Sequence, residues 1–394
     1  MFVYHLVDGI TGDRLEQLFP ASAPSWARRP EPVSGSVALQ VRPQPRATAA
    51  GVQEANPMAG LQHRIRPLRD VVVVSWQWPN GTEDALAAGI VLSPLGLDEQ
   101  TGVLSVEHKC FREILAGRFL LDKDYWPHTK SKVTVGPGSW PSLVRQVLQV
   151  ATSGYAANTD PDFEAVGGFG LPVDLPPAGS GSHSFTWFGY NLKQAAEALE
   201  DIEDEGQVVV DFRPRWDADF RLRWACEVFS EDERAGQLID LGSTGADRAQ
   251  AQYSGTTEDW TEVATVTHHT GKGSEADILY DRQSDTTPTV MARETLIARP
   301  DVETLEQLIR QKWGIYQGLR RATMQDAVSI HLDPDNPDWI TPADLRLGAT
   351  VQLTLEDSMY YGHRTIRRTL VGWQASGHRT ITLDLQDLSF DTGV

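Results

Sequence analysis

The segment from Trp187 to Phe229 constrains the fold of this chain most, because helical and strand periodicity follow one another within it. Apolar residues recur at helical spacing over Asn191–Asp204, which predicts a short amphipathic helix. The apolar face consists of Leu192, Ala195, Ala196, Leu199 and Ile202. We expect Asn191 to cap this helix and Gly206 to end it.

Two segments of alternating residues follow the helix and predict a β-hairpin. Apolar side chains take every second position over 208–213 and again over 220–228. The turn-forming residues of Pro214–Asp219 separate the two segments. Strands of this kind are half-buried, so one face of the hairpin is expected to pack and the other to meet water or a partner.

The same alternation recurs towards both ends of the chain and predicts a mainly β protein with some α (α+β). Two further helices are predicted, one over Trp140–Ser153 and one from Asp301 to about Leu319. The last helix is expected to bury a stripe of Val302, Leu305, Ile309, Trp313, Tyr316 and Leu319. Another strand is predicted over Val263–Thr267.

These patterns divide the chain into four parts. Residues 1–107 are predicted to form a first β-barrel, and residues 108–185 a helix followed by a long Gly- and Pro-rich loop, Gly154–Ser184. Residues 186–290 are predicted to form a mixed α+β domain, and residues 291–394 a helix and a closing second β-barrel. Strand–turn–strand units of similar shape over 88–109 and 368–387 fit two small barrels, one near each end.

The charge of the chain disfavours nucleic-acid binding. Its 35 Lys and Arg against 54 Asp and Glu give a net charge of −19, spread along the 394 residues. Proteins that bind DNA, RNA or anionic membranes need a basic surface, which this composition does not supply. The acidic surface favours solubility, and it also suits a conduit through which DNA slides without sticking.

The cysteines and the hydropathy predict a protein made in the cytosol. Cys110 and Cys226 are the only cysteines, so one disulfide is possible but no disulfide framework. The N-terminus has no basic region followed by an apolar core, so no signal peptide is expected. The longest weakly polar run, Ala85–Leu97, is shorter than the roughly 20 residues that cross a membrane. We therefore expect no membrane anchor.

No motif in the sequence predicts catalysis. There is no Gly-x-Ser-x-Gly elbow, and Gly271–Ser274 lacks the first glycine of a phosphate-binding loop. Acidic runs such as Glu203–Asp204–Glu205 are predicted to be solvated faces. We predict that the protein is not an enzyme and binds no cofactor.

Metal binding is also not predicted. His268 and His269 are adjacent, so on a strand their rings point to opposite faces and cannot bind one ion together. Asp333, Asp335 and Asp338 lack the Gly and the distal Glu of a calcium-binding EF-hand, and the prolines among them predict a turn.

The aromatic residues supply the candidate interface residues. Trp216 and Trp339 lie in predicted polar turns and are the stronger candidates. Trp26, Trp187 and Tyr190 complete the set. Tryptophans on apolar faces are predicted to be core, namely Trp76, Trp78, Trp224 and Trp313.

Three sets of residues together resemble the tail hub proteins of long-tailed actinobacterial bacteriophages. The opening set is Ile10-Thr-Gly-Asp-Arg-Leu15, Ser25-Trp26 and Ser34-Gly-Ser-Val-Ala-Leu39. The middle set is Trp187-Phe-Gly-Tyr-Asn191 with the helix behind it, and Arg213-Pro-Arg-Trp-Asp217. The closing set is Leu345-Arg-Leu-Gly-Ala-Thr-Val351 and residues 367–386. The resemblance spans most of the chain but not Gly154–Ser184 or residues 230–259.

The resemblance implies a structural protein with a baseplate-hub-like fold. Each chain would carry two small tail-tube-like β-barrels, and three chains would close a ring of six. This homotrimer would sit at the tail tip of the virion and join the tail tube and distal tail protein to the fibres. It would hold the end of the tape-measure protein, and viral DNA would only pass through its lumen. Some relatives carry a C-terminal cell-wall hydrolase, which we do not expect here.

Two other functions remain open on the sequence. The first is a receptor- or carbohydrate-binding minor tail protein that stacks sugar rings on Trp216 and Trp339. The second, less expected, is a cell-wall hydrolase with two carboxylates facing each other across a cleft.

Overall fold

The structure is a computed structural model of the chain. It describes residues 1–30, 33–42, 46–47, 53–54, 56–92, 96–122, 127, 130–153, 170–230, 233–234, 236–245, 249–261, 263–274, 277–284, 291–300, 302, 304–319, 323–333, 336, 339–375 and 379–387. The fold is mainly β with a smaller helical part, which confirms the predicted class.

The first large sheet has seven strands and is built from the N-terminal part of the chain. Its strands are β1 (Phe2–Asp8), β2 (Arg14–Leu18), β4 (Ser34–Gln40), β7 (Asp70–Gln77), β8 (Glu83–Ile90), β9 (Gly96–Asp98) and β10 (Val103–Lys109). Their order is β2-β1-β7-β8-β10-β4, with β9 also paired to β10. The chain after β2 returns to the far edge, where Ala21 N–H donates to the carbonyl of Ala38 at 2.7 Å, so the sheet curls.

The second large sheet also has seven strands. Its strands are β3 (Ala27–Arg28), β16 (Leu238–Ser243), β17 (Ala251–Asp259), β21 (Thr323–His331), β22 (Thr350–Ser358), β23 (Gly362–Ala375) and β24 (Thr380–Asp387). The order is β16-β22-β23-β24-β21-β17, with β3 paired to β23. The two ends of this order, β16 and β17, contact each other.

Smaller elements connect the two large sheets. The helices are α1 (Phe111–Ala116), α2 (Trp140–Thr152), α3 (Ala195–Gly206) and α4 (Leu305–Leu319), with 3-10 turns at Leu61–His63 and Gly189–Asn191. The short sheets pair β5 (Arg46–Ala47) with β6 (Gln53–Glu54), and β11 (Lys132–Gly138) with β13 (His183–Phe188). Two three-stranded sheets are formed by β12 (Val173–Asp174), β15 (Leu222–Ser230) and β14 (Val208–Trp216), and by β19 (Tyr280–Ser284), β18 (Val266–Thr270) and β20 (Glu294–Ala298).

Strand β7 lies between two hydrophobic cores. Val72 and Val74 point into a core that both large sheets share, and Val71 and Val73 point into a second core. The second core is made with α1, α2, α3 and the β14–β15 hairpin. Alternate side chains of a strand face opposite sides, so a run of four valines can fill both cores at once. Each such burial stabilises the fold by about 1.5–3 kcal/mol.

The predicted helix α2 is confirmed, but the predicted start of α3 is wrong. Leu192 has a left-handed φ of 47° and is 47% exposed, so the chain turns there instead of entering a helix. Asn191 ends a 3-10 turn and is not the cap. Gln194 and Glu197 form a capping box at the true start, and Gly206 is the last helical residue.

Several other boundaries also differ from prediction. Strand β14 continues to Trp216, so the turn of the hairpin begins at Asp217 and not at Pro214. Strand β18 begins at Val266 instead of Val263. Within the described part of the N-terminal strand–turn–strand unit, β8 pairs with β10 at Ile90–Lys109, and β9 pairs with Val103–Ser105 of β10.

Helix α4 buries the predicted stripe only in part. Val302 and Tyr316 are buried as predicted, whereas Leu305 and Ile309 are exposed and Leu308 is buried instead. The predicted cap Asp301, the side chain of Trp313 and residues 154–169 of the predicted loop lie outside the described residues. The described remainder of that loop includes β12, which pairs in parallel with β15.

His108 is a buried histidine at the end of the first sheet. It is 5% exposed, and Cβ atoms on the neighbouring Gly89 and Gly35 would lie 2.3 Å from its Nδ1 and 2.5 Å from its Cε1. Its Nε2 has no hydrogen-bond partner among the residues described. Burial lowers the pKa of His108 to about 4, so the ring is neutral at pH 7.

We predict that the free energy of unfolding falls as the pH is lowered from 6.5 to about 4. The unfolded chain takes up a proton on His108 near pH 6.5 and the folded chain only near pH 4. The His108 contribution is complete above pH 6.5, and about 3 kcal/mol of it is lost by pH 4. Urea unfolding at several pH values measures this, and His108→Gln should flatten the dependence. The exposed His63→Gln is the control, and an equally flat profile for it would contradict the assignment.

Candidate assembly surface

Trp26, one of the five candidate interface residues, lies inside the shared core. Its side chain is 2% exposed, and its ring meets Phe2 and Trp373 edge-on, each at a centroid distance of 5.2 Å. Phe2 belongs to the first sheet and Trp373 to the second. Within one chain, Trp26 therefore packs the two large sheets against each other.

Trp187 and Tyr190 are close in sequence but differ in exposure. Trp187 is buried, stacks on Phe185, and its Nε1 donates to Asp201 Oδ2 at 3.0 Å. Tyr190 is 61% exposed and stacks on Phe188 at 5.5 Å. Trp187 is tied to α3, whereas the ring of Tyr190 is available at the surface.

Trp216 anchors the hairpin to the first sheet. Its Nε1 donates to Ser75 Oγ at 3.0 Å, and the guanidinium of Arg14 lies 4.0 Å from its ring centre. His5 meets the ring edge-on, and Glu83 accepts hydrogen bonds from Arg14 at 2.7 Å and pairs with His5 at 2.8 Å. Desolvation first, and then the charge of Arg14, lower the pKa of His5.

Trp339 is half-buried and lies beside His331, with the two rings edge-on at 6.1 Å. The neighbouring Asp335 and Asp338 lie outside the described residues, so the predicted turn is visible only in part. Of the five candidates, Tyr190 is the one with a largely free ring. The interface role of all five remains a prediction.

The sequence did not indicate that Tyr190 belongs to a larger exposed apolar surface. Phe119 and Leu192 are also exposed, at 40% and 47%. Backbone hydrogen bonds of 2.8 Å, from Leu120 to Lys193 and from Ala195 to Arg118, hold the two segments together. We call Phe119, Tyr190 and Leu192 the Tyr190 patch. Exposed apolar residues that cluster in this way mark interaction surfaces more often than isolated ones do.

A buried ion pair links the second sheet to the hairpin. Arg28 of β3 donates to Asp211 Oδ2 at 2.6 Å and to the carbonyl of Phe212 at 3.1 Å. Burial raises the pKa of Asp211, and the charge of Arg28 opposes this. The hairpin face predicted to meet water is therefore covered at Asp211. The sequence signal that was missed is Asp211 between the apolar residues Val210 and Phe212, in a strand segment that is buried on both faces.

A small cleft lies beside this pair. It has a volume of about 30 Å³ and is lined by Arg28, Cys110, Arg112 and Asp211 among others. That volume holds roughly two water molecules and does not admit a substrate. Cys110 and Cys226 are free thiols, and burial raises the pKa of Cys226.

The structure places the other residues considered for chemistry in structural roles. His269 is buried and pairs with Thr267, whereas His268 faces Tyr280 across the sheet, as predicted for adjacent strand residues. Glu203 was predicted to be solvated but is half-buried, because it binds the buried Arg112 and accepts from the N–H of Val210 at 2.7 Å.

The described residues contain neither a metal-binding cluster nor a membrane-spanning helix. No three His, Cys, Asp or Glu side chains in the described part of the chain are grouped so as to hold a metal ion. In the same residues, no helix is both long and apolar enough to span a membrane.

Nearly the whole chain is similar in fold to two known tail proteins. It matches a tail protein from Neisseria meningitidis with a TM-score of 0.53 and 13% identity, covering 98% of this chain and 96% of that one. It matches the 43 kDa tail protein of prophage MuSo2 from Shewanella oneidensis with a TM-score of 0.52 and 12% identity, covering 98% of each chain. No protein-family model and no curated protein matches the sequence. The likeness therefore establishes a shared fold.

Removing Arg28 is predicted to destabilise the protein far more than removing an exposed arginine. Arg28→Met leaves Asp211 buried without its partner, which should lower the free energy of unfolding by about 3–5 kcal/mol. Arg221→Met breaks the exposed pair with Asp13 and should change it by less than about 1 kcal/mol. Chemical denaturation compares the two variants. Equal losses would show that the Arg28–Asp211 pair does not hold the hairpin in place.

Truncation of Trp216 is predicted to destabilise the fold, whereas truncation of Tyr190 is not, because Trp216 packs within the chain and the ring of Tyr190 is mostly exposed. Trp216→Ala removes the contacts to Ser75 and Arg14 and should lower the free energy of unfolding by about 3 kcal/mol. Tyr190→Ala should change it by no more than about 0.5 kcal/mol, since its ring is mostly exposed. Thermal unfolding of both variants tests this, and a stable Trp216→Ala protein would contradict the anchoring role.

Proposed function

We propose that the protein is a structural component of a phage tail and acts there as a trimeric tail-tip hub. The observation that carries this proposal is the similarity of fold to two tail proteins, which covers 98% of this chain and 96–98% of the matched chains. Because the similarity extends over nearly the full length, it concerns the complete arrangement of domains and not a single widespread domain. The hub role, the trimer and an actinobacterial host rest further on the sequence resemblance.

The curvature of the two large sheets supports the proposal of a hub ring. Each sheet has seven strands and is curled. In the first, the chain after β2 pairs with β4 at the far edge, and in the second the outer strands β16 and β17 contact each other. Three chains with two such curled sheets each would give a ring of six. In this proposal the second ring-forming unit is not confined to residues 291–394, because its sheet also takes β3 from the first predicted part and β16 and β17 from the third.

The Tyr190 patch is the proposed contact with another copy of the chain. Burial of exposed apolar side chains by a partner makes the free energy of association more favourable. The partners proposed are the distal tail protein, the tape-measure protein and the tip or fibre proteins. No cofactor enters this role.

The acidic composition is proposed to keep DNA moving through the lumen. A net charge of −19 repels phosphates, so DNA would pass the hub without binding it. Carboxylates should therefore line the channel. A cryo-EM map of the tail tip with a neutral or basic lining would contradict this part of the proposal.

The alternative of sugar binding at Trp216 and Trp339 loses its original support. Trp216 is covered by Arg14 and held by Ser75, and Trp339 is half-buried against His331. The hydrolase alternative gains no support from the described cleft, which has room for little more than water.

The hub proposal predicts rings of three copies that depend on the Tyr190 patch. Negative-stain class averages of the purified protein or of detergent-opened virions should show three-fold particles with a central hole. Tyr190→Asp and Leu192→Asp should reduce assembly with the thermal midpoint unchanged, because a charge in an apolar contact is costly to bury.

Leu68→Asp is the matched control, since Leu68 is also exposed but lies outside the patch. Monomers placed away from the tail axis would contradict the hub. If both patch variants form normal rings, the hub proposal stands but the proposed contact at the Tyr190 patch is wrong.

A further inference from the structure

An exposed aromatic surface lies where the two edges of the second sheet approach each other. Trp260 follows the end of β17, and Met359 and Tyr360 form the turn between β22 and β23. Trp260 is 50% exposed, Tyr360 54%, and Met359 fully exposed. We call Trp260, Tyr360 and Glu258 the tip platform.

One carboxylate orients both rings of the tip platform. Trp260 Nε1 donates to Glu258 Oε2 at 3.2 Å, and the hydroxyl of Tyr360 donates to Glu258 Oε1. The polar ends of the two rings are therefore held at the same acid while half of each side chain stays exposed. These two hydrogen bonds lower the pKa of Glu258, so the group is a carboxylate at neutral pH.

A buried network fixes the platform from beneath. Tyr360 packs edge-on against Tyr361 at 4.7 Å, and Arg368 Nη2 donates to the hydroxyl of Tyr361 at 2.8 Å. Arg368 Nε also donates to the buried Asp326 at 2.5 Å. A turn that carries exposed aromatic residues is thus tied to the core of the second sheet. Rigid aromatic groups lose little conformational entropy when a ligand binds.

We propose that the tip platform binds a neutral saccharide. Aromatic rings with exposed apolar surface stack on the C–H faces of sugar rings, and a carboxylate accepts hydrogen bonds from their hydroxyl groups. Each oxygen of Glu258 uses one acceptor position for Trp260 or Tyr360 and retains capacity for another donor. The proposal does not depend on the hub role, because the platform shares no residue with the Tyr190 patch.

The charge around the platform selects a neutral ligand over an anionic one. Glu258, Asp259 and Asp357 lie within three residues of the exposed rings and are all exposed, and they outnumber Arg293, whose guanidinium donates to the carbonyl of Trp260 at 3.3 Å. An anionic polysaccharide or a membrane of anionic lipid would be repelled by this group of carboxylates. A neutral oligosaccharide meets no such repulsion, and an open platform can accept a segment of a longer chain.

The test uses the full chain and saturation-transfer NMR with three oligosaccharides, with affinities from titration. Chitotetraose and maltoheptaose are the neutral probes, and a hyaluronan oligosaccharide is the anionic one. Binding of at least one neutral probe, with no binding of hyaluronan, is expected. Trp260→Ala and Tyr360→Ala should each weaken it at least about tenfold, as truncation of an aromatic anchor does. Glu258→Gln should weaken it less, because the amide keeps one acceptor.

Tyr190→Asp is the control variant and should bind the neutral probe as the unmodified protein does. Because it is also the assembly variant, failure of the hub and failure of sugar binding are separable. Binding of neither neutral probe overturns the proposal, as does binding that Trp260→Ala and Tyr360→Ala leave unchanged. Binding to anionic lipid vesicles through the same residues would replace it with a membrane contact.

Discussion

Three consecutive residues, Trp26 to Arg28, hold the parts of this fold together. Trp26 fills the space between Phe2 of the first sheet and Trp373 of the second. Ala27 and Arg28 then pair with β23, and the Arg28 side chain reaches Asp211 in the hairpin. Because the three contacts come from one short segment, the position of each sheet fixes the others. A shift of this segment would open the shared core and expose a buried charge at once.

The aromatic residues fall into two groups according to where their polar atoms are bound. Trp187 and Trp216 donate to Asp201 and Ser75, so their rings are engaged within the chain. Trp260 also donates to an acid, but that acid is exposed and the ring remains half free. The same hydrogen-bonding chemistry thus serves packing in one place and leaves a surface open to a ligand in another. The difference is that other segments of the chain cover the rings of Trp187 and Trp216, whereas the ring of Trp260 is left half exposed.

The alternating segments were predictable because their signal is local. The apolar positions of β4, β14, β15 and β24 follow from the period of two, and the face of α2 follows from helical spacing. The start of α3 was missed because the chain turns at Leu192, just before the capping box of Gln194 and Glu197. Part of the α4 stripe was missed because burial depends on which neighbour packs against the helix, and Leu305 and Ile309 are exposed where sequence spacing predicted contact.

The sequence by itself determined the mainly β class, the acidic surface and the five aromatic candidates. Only the tertiary structure decided that Trp26 is core, that Tyr190 is exposed, and that Glu258 lies between Trp260 and Tyr360. Tyr360 and Glu258 are 102 residues apart in the chain. Periodicity reports which side of an element is apolar, and it carries no information about which distant segment covers that side. That choice is made by the packing of whole sheets, where many weak contacts act together.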